Sequence, residues 1–453
     1  MQELRLLAYS SGNFAKNLVF SSADLTFLFI LTELVGLSAG HAASIMLAAL
    51  LGDLVFDFAV AKIVIALRRH GKGYRWLLVM AAPPCGLAFA FVYSMPAHAL
   101  LGTWLLVAAL AIFRGAYAIV DVPHNAMMSS LTTDSGSRGR VSGYRRFFST
   151  CASFVIALVL TPAVQKAAQG HAYTALSHIG IAAGLTFTIV IILGALLSRS
   201  TVEGMSRLEV RGDGIKLPFA NPSILAMTLL GILTGLAVPA FERTLLYLGT
   251  YVLKSPDLVP NLLIVLSVGQ FAGVFLWTMS TRWVGNPDLL AIGHGLCALS
   301  LALVYAALNS STMLYVCVLL LGVAQTCVFM LPWAILADIV DLIDWKIGRR
   351  YEAGLFAFFL VVVKVSGAAS SSLTGFILEW AGYVPGGQQT PLVQHAMLAF
   401  GIGLPLSGSL LAMIVSMKLP LDHRRHARIV HALGRREQGR LNQSAQVPSL
   451  SPG

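Results

Sequence analysis

The chain has 453 residues, of which 57% are hydrophobic and only 11% charged, with a formal net charge of +11. Soluble globular domains carry about 25% charged residues, so this composition excludes a water-soluble fold. Charge-free tracts run over 76–113, 167–198, 289–337 and 380–417. One membrane-crossing helix takes about 20 apolar residues, so the longer tracts hold two crossings each, and the class is an all-α polytopic membrane protein.

Residues 1–10 carry no cleavable small-residue site, and the first apolar stretch is too long for the core of a signal peptide; it is expected to persist as a helix. Glycine, proline and charge punctuation predicts twelve spans, at about 12–35, 41–66, 75–95, 100–130, 143–166, 174–198, 222–251, 259–281, 289–308, 312–340, 351–380 and 391–418. Alternate connections hold Arg68, Arg69, Lys72 and Arg75, then Arg138 and Arg140, then Arg199, Arg207, Arg211 and Lys216, then Arg282, then Lys346, Arg349 and Arg350. The opposite connections hold only Lys166 and Lys254. The positive-inside rule then places both termini in the cytoplasm, and the basic excess reports topology rather than nucleic-acid binding.

The polar connection 199–221 separates a six-span half, 1–198, from a second, 222–418. A basic cytoplasmic tail follows over 419–453, expected to be disordered at its end. Two six-span halves around a cytoplasmic middle loop suggest an alternating-access transporter built from parallel repeats. Pro123 and Arg140 share their seventeen-residue spacing with Pro332 and Arg349, at matching places in the two halves. The five cysteines all fall in apolar tracts and read as packing residues.

Span two holds Asp53 and Asp57, four residues apart and therefore on one helix face, with Cβ atoms about 6 Å apart. An acid at mid-membrane costs about 2.5–3.5 kcal/mol on insertion scales, and two like charges this close need a shared proton or cation. Hard cations take carboxylate oxygens, so Asp53 and Asp57 are read as a monovalent cation site; the competing reading is a structural lock closed by Arg or Lys. Span four holds Arg114, Tyr117 and Asp121 before Pro123, which is expected to end it. Arg114 and Asp121, seven residues apart, lie within about 20° on the helix, and Asp121 supplies a third carboxylate. Past span four, Asp134, Arg138 and Arg140 form an ion-pair and capping cluster. With Asp338, Asp341, Arg349 and Glu352 at the matching place of the second half, they are expected to make a cytoplasmic gate. Arg146, just inside span five, presents a fork suited to hydroxyls or carboxylates.

In span seven Glu242 and Arg243 project about 100° apart, and their pattern leaves two readings open, lining a cavity or pairing with other helices. Lys364 lies in the apolar run 356–365, too deep to snorkel, so it should face a cavity near an acid. Asp53 and Asp57, with Asp338, Asp341 and Asp344, superficially resemble the acid-rich motif of magnesium-dependent intramembrane prenyltransferases. Twelve spans, two matched halves and a loop position for Asp344 argue against an enzyme.

Residues 121–148, the stretch 331–383 (Leu331-Pro332-Trp333, Trp345-Lys346, Gly348-Arg349-Arg350, Glu352, Gly354, Lys364, Gly375, Ala381-Gly382-Tyr383), Lys16 and the Asp53/Asp57 pair together resemble the glycoside–pentoside–hexuronide:cation symporters. This is the melibiose permease-like branch of the major facilitator superfamily, and the resemblance covers essentially the whole chain. It implies the major facilitator fold, with the coupling cation on Asp53, Asp57 and Asp121. It places Asp121 where cation and sugar sites meet, Arg146 at a sugar-binding arginine, and Lys364 near the cation site. The implied substrate pocket is Asn17, Tyr117, Asp121, Asn125, Arg146 and Lys364. Three positions depart from the branch: Asn17 replaces a hydroxyl-gripping aspartate, Asn125 a sugar-stacking tryptophan, and Ala118 a threonine that helps ligate sodium.

The expected function is sodium- or proton-coupled symport of a small polar solute, a sugar or glycoside. The altered pocket leaves a lysolipid or other amphiphile, carried by a related branch, as the alternative. No cofactor is expected beyond the coupling cation. The expected setting is a monomer spanning the bacterial inner membrane, with solute, monovalent cation and lipid as its partners and no nucleic acid.

Overall fold

In a bilayer every backbone polar group has to be satisfied within the protein, which confines apolar runs of this length to helices. The computed structural model describes residues 2–69, 74–94, 103–131, 135–170, 173–198, 221–281, 283–347 and 352–419, with 428–429, 432 and 435 beyond them. The middle connection up to residue 220 and most of the tail lie outside. Among the described residues there is no strand, and twelve helices are long and apolar enough to cross a membrane. In order they are Glu3–Leu34, Ala39–Val60, Tyr74–Ser94, Val107–Asn125, Gly143–Ala168, Tyr173–Leu197, Pro222–Val252, Leu258–Ser280, Asn286–Ala306, Ser311–Ile347, Gly354–Trp380 and Pro391–Met417, here spans one to twelve.

Three boundaries differ from expectation. The first helix starts at Gln2 rather than near residue 12, because Leu6 and Tyr9 are already packed in the core. Pro123 does not end span four: helix continues through it to Leu131, as span ten continues through Pro332 to Ile347. Interior prolines are tolerated in membrane helices because neighbouring groups take over the freed backbone. Asp338, Asp341 and Asp344 therefore all ride on span ten, and Asp344 is helical rather than in a loop. Trp76, Trp104 and Trp283, near span ends, are exposed, as suits aromatic side chains at a membrane interface.

Spans one to six pack chiefly on one another, with three against four and six, and one against five and six. Spans seven to twelve do the same, with ten against eight and nine, and nine against twelve. The two sets meet where two touches eleven, five touches eight and one touches seven. Close approach inside the first set relies on small residues, as is general for membrane helices. A Cβ added at Gly184 would stand 2.3 Å from the carbonyl oxygen of Gly86. Gly184→Ala should therefore cost about 1–3 kcal/mol through overpacking, seen as a lower melting midpoint in detergent; an unchanged midpoint would contradict this packing.

One end of the interface is latched. Short wide-turn segments occur at the ends of spans one and seven, Ile30–Leu34 and Leu248–Val252, and they bring Glu33 and Tyr251 together. The Tyr251 hydroxyl donates to Glu33 at 2.7 Å, and the Gly386 amide approaches Glu33 at 3.2 Å and Tyr251 at 3.1 Å. Tyr247 and Thr32 share a hydrogen bond of 2.9 Å, the Gly40 amide donates to Glu379 at 2.8 Å, and Tyr383 meets Tyr247 and Tyr251 edge-on. The molecule is thus closed at the end that carries connections 35–38, 253–257 and 381–390.

Candidate functional site

Midway along the bundle, three acids and three bases from spans one, two, four and eleven form one network. Span two presents Asp53 and Asp57 on a common face, as their spacing requires, but different bases hold them. Arg114 of span four donates to Asp53 at 2.9 Å and lies 5.0 Å from the centre of the Phe20 ring. Lys364 of span eleven donates to Asp57 at 2.7 Å and to Asp121 at 3.4 Å. Lys16 of span one holds the other oxygen of Asp121 at 2.7 Å and donates to Asn125 at 2.9 Å.

Exposure separates the pairs. The side chains of Lys16 and Asp121 are 6% and 10% exposed, whereas those of Lys364 and Asp57 are 31% and 26% exposed. The Lys364–Asp57 contact is the most exposed ion pair of the network, although Asp53 on its own is 23% exposed.

The expected three-carboxylate cradle is thus arranged differently. Asp57 and Asp121 converge on Lys364, Asp53 is drawn away to Arg114, and among the described residues no three acid, imidazole or thiol groups are placed to hold a metal ion. The reason is charge balance: each buried acid is neutralised by a base from another helix, which avoids the cost of an unpaired charge.

The expected pocket residues fall in two places. Tyr117 packs between Phe20 and Phe113, with ring centres 5.2 and 6.2 Å away. Asn125 accepts from Lys16 and, at 2.8 Å, from Arg145, which also donates to Asn13 at 3.0 Å. Arg145, and not Arg146, joins the Asp121 network. Arg146 projects instead toward Glu242, which it meets electrostatically, and its buried Nε has no hydrogen-bond partner. Asn17 is tied to span five, donating to the Ser149 carbonyl at 2.8 Å and to Ser153 at 3.2 Å. Of the expected gate, Asp134 and Arg349 lie outside the described residues, as do the side chains of Arg138, Arg140 and Glu352. Asp338 accepts from Asn286 at 3.0 Å, and Asp341 is half-buried on span ten.

Asp24 carries the same signal as Asp53, a carboxylate midway along an apolar span, and the sequence reading assigns it nothing. It pairs with Arg243 of span seven at 2.5 Å and accepts from Ser371 of span eleven at 3.3 Å. Arg243 thus pairs with another helix and, together with Glu242, also lines the neighbouring cavity, so both open readings apply to it.

Two sets of six membrane helices, latched at one end and sharing a half-buried charged network, define a secondary transporter of the major facilitator type. The family description MFS/sugar transport protein matches residues 8–423, and the chain belongs to that family. It is 24% identical over 385 residues to the inner membrane symporter YicJ of Escherichia coli, covering 83% of this chain and 82% of that protein. It is 22% identical to the sodium-dependent lysophosphatidylcholine symporter 1-A of Danio rerio, over 79% of this chain and 74% of that one. The D-xylose-proton symporter structure shares the fold, with a TM-score of 0.65 at 14% identity over 93% of this chain and 97% of that one. The family and its neighbours are membrane transporters.

Proposed function

We propose that the protein couples the movement of a small polar solute, a sugar or glycoside, to that of a monovalent cation, sodium or proton. The observation that carries this reading is the place of Lys364. Its ammonium stands between Asp57 and Asp121, where a small cation would bind, and it comes from the opposite set of spans. A cation entering between those carboxylates displaces Lys364, which loosens one tie between the two sets and frees a donor beside the Asp121–Asn125 cluster. Cation and solute then favour one another, a reciprocal linkage worth typically 1–3 kcal/mol. By the positive-inside rule the latched end faces the outside of the cell.

The test is uptake of labelled sugars into vesicles with and without a sodium or proton gradient, in the natural chain and in Asp57→Ala. Accumulation should require the gradient and vanish in the variant; gradient-independent accumulation, or unchanged uptake in Asp57→Ala, would refute the mechanism.

One observation favours a second reading, an amphiphile such as a lysolipid. A groove of about 470 Å³ between spans one, five and six is lined almost wholly by apolar groups, among them Phe14, Phe148, Val190 and Leu193. Stabilisation by lysolipids and not by sugars would favour that reading.

A further inference from the structure

A second polar cavity lies between the two sets of spans, outside the Asp121 network. It measures about 110 Å³ and is lined by Ser21, Asp24, Ser153, Glu242, Arg243 and Gln270 among others. A single water needs about 10–15 Å³ by this kind of measure, so the space takes several waters or part of a polar solute.

Its polar groups are only partly satisfied. Arg243 is 7% exposed and commits one terminal nitrogen to Asp24, yet its Nε and Nη1 have no hydrogen-bond partner. Donors of a charged group left bare in this way are unfavourable unless something fills them. Glu242, on the same cavity, has no ion pair within 4 Å among the described residues; Arg243 and Arg146 act on it electrostatically and Gln325 hydrogen-bonds to it. An ion pair that merely staples the two sets of spans together would account for Asp24 and one nitrogen of Arg243. It would not account for the two bare donors of Arg243 or for the space they face beside Glu242.

The cavity also continues from the first site. Asn17, Ser21 and Asp24 follow one another at i, i+4 and i+7 along one face of span one, and Ser21 donates to Asn17 at 2.7 Å. Ser153 touches Asn17 and also lines the cavity. At 1.5 Å per residue, Asp24 lies about 10 Å along the helix axis from Asn17.

We propose that Glu242 and Arg243 form a second subsite that receives the far, hydroxyl-bearing end of the transported solute. Glu242 accepts hydrogen bonds from neighbouring hydroxyls, and Nε and Nη1 of Arg243 donate to hydroxyl or ring oxygens. The solute class is a glycoside with hydroxylated groups at both ends, rather than a single sugar ring. Because one set of spans supplies Asn17 and the other Glu242 and Arg243, a solute that spans the track is held by both sets at once. This inference rests on the sugar reading above.

The test is calorimetric binding to the purified full-length protein with matched probes: D-xylose against xylobiose, D-glucose against maltose, and D-galactose against melibiose. In at least one pair the disaccharide should bind at least about 10-fold more tightly, the effect of one hydrogen bond to a charged group. Glu242→Gln should reduce that disaccharide to the level of its monosaccharide and leave the monosaccharide unchanged. Arg243→Lys retains a positive charge for Asp24 and removes the bare donors, so it should do the same in a folded protein. If either variant weakens both members of the pair equally, or neither, the subsite is overturned while the sugar reading stands. If no probe binds the natural chain, both fall together.

Discussion

Asp121→Asn is expected to abolish gradient-driven uptake and to lower stability by about 3–5 kcal/mol, the cost of removing one partner from a buried ion pair. Asp121 is the acid shared by two bases, Lys16 at 2.7 Å and Lys364 at 3.4 Å, and its side chain is only 10% exposed. The amide is nearly the same size, so the loss is of charge rather than of packing, and Lys16 is left in a site where water cannot compensate it. Asp57→Asn should cost much less stability, because Lys364 retains Asp121 and is 31% exposed. Thermal unfolding in detergent checks the ranking. Adding Lys16→Gln to Asp121→Asn should recover much of the melting midpoint and none of the uptake. An Asp121→Asn protein as stable as the natural chain would show that this network does not hold the site together.

Lys364→Met is expected to separate binding from coupling. With the ammonium gone, Asp57 and Asp121 face one another with no base between them, and the pair should bind sodium or a proton more tightly. A change of about 5–150-fold in the cation concentration for half-maximal stabilisation corresponds to a coupling energy of 1–3 kcal/mol. Exchange of solute across the membrane should persist, while accumulation against a gradient collapses, because release of the cation no longer has a competing internal base. A purely structural lysine would give a different result: lower stability with an unaltered response to cation. Titrating the melting midpoint against sodium and against pH, in the natural chain and the variant, distinguishes the two.

Among conformational elements, the latch of Glu33, Tyr251 and Gly386 deserves comparison with the charged network because both span the same interface at different depths. The latch brings two neutral donors, a hydroxyl and a backbone amide, to one carboxylate near the end of the bundle, whereas Lys364 bridges mid-membrane acids. In the mechanism we propose, rocking of the two sets breaks the first while the occupancy of the second changes, giving a bound cation leverage over access.

The amino-acid sequence by itself determined the twelve crossings, because lipid requires apolar runs of about 20 residues and glycine, proline and charge punctuation divides the chain into twelve of them. It also marked Asp53, Asp57, Asp121 and Lys364 as functional candidates, since a charge in hydrocarbon needs a compensating cause. Helix periodicity says which residues share a face and is silent on what that face meets. That is why only the tertiary structure decided that Asp53 belongs to Arg114, that Lys364 reaches Asp57 across 307 residues of chain, and that Asp24 meets Arg243 across 219. The choice between Arg145 and Arg146 turned on the same point: adjacent residues project about 100° apart, so the rotation of span five, set by its packing on spans one and eight, sends one arginine to Asn125 and the other toward Glu242.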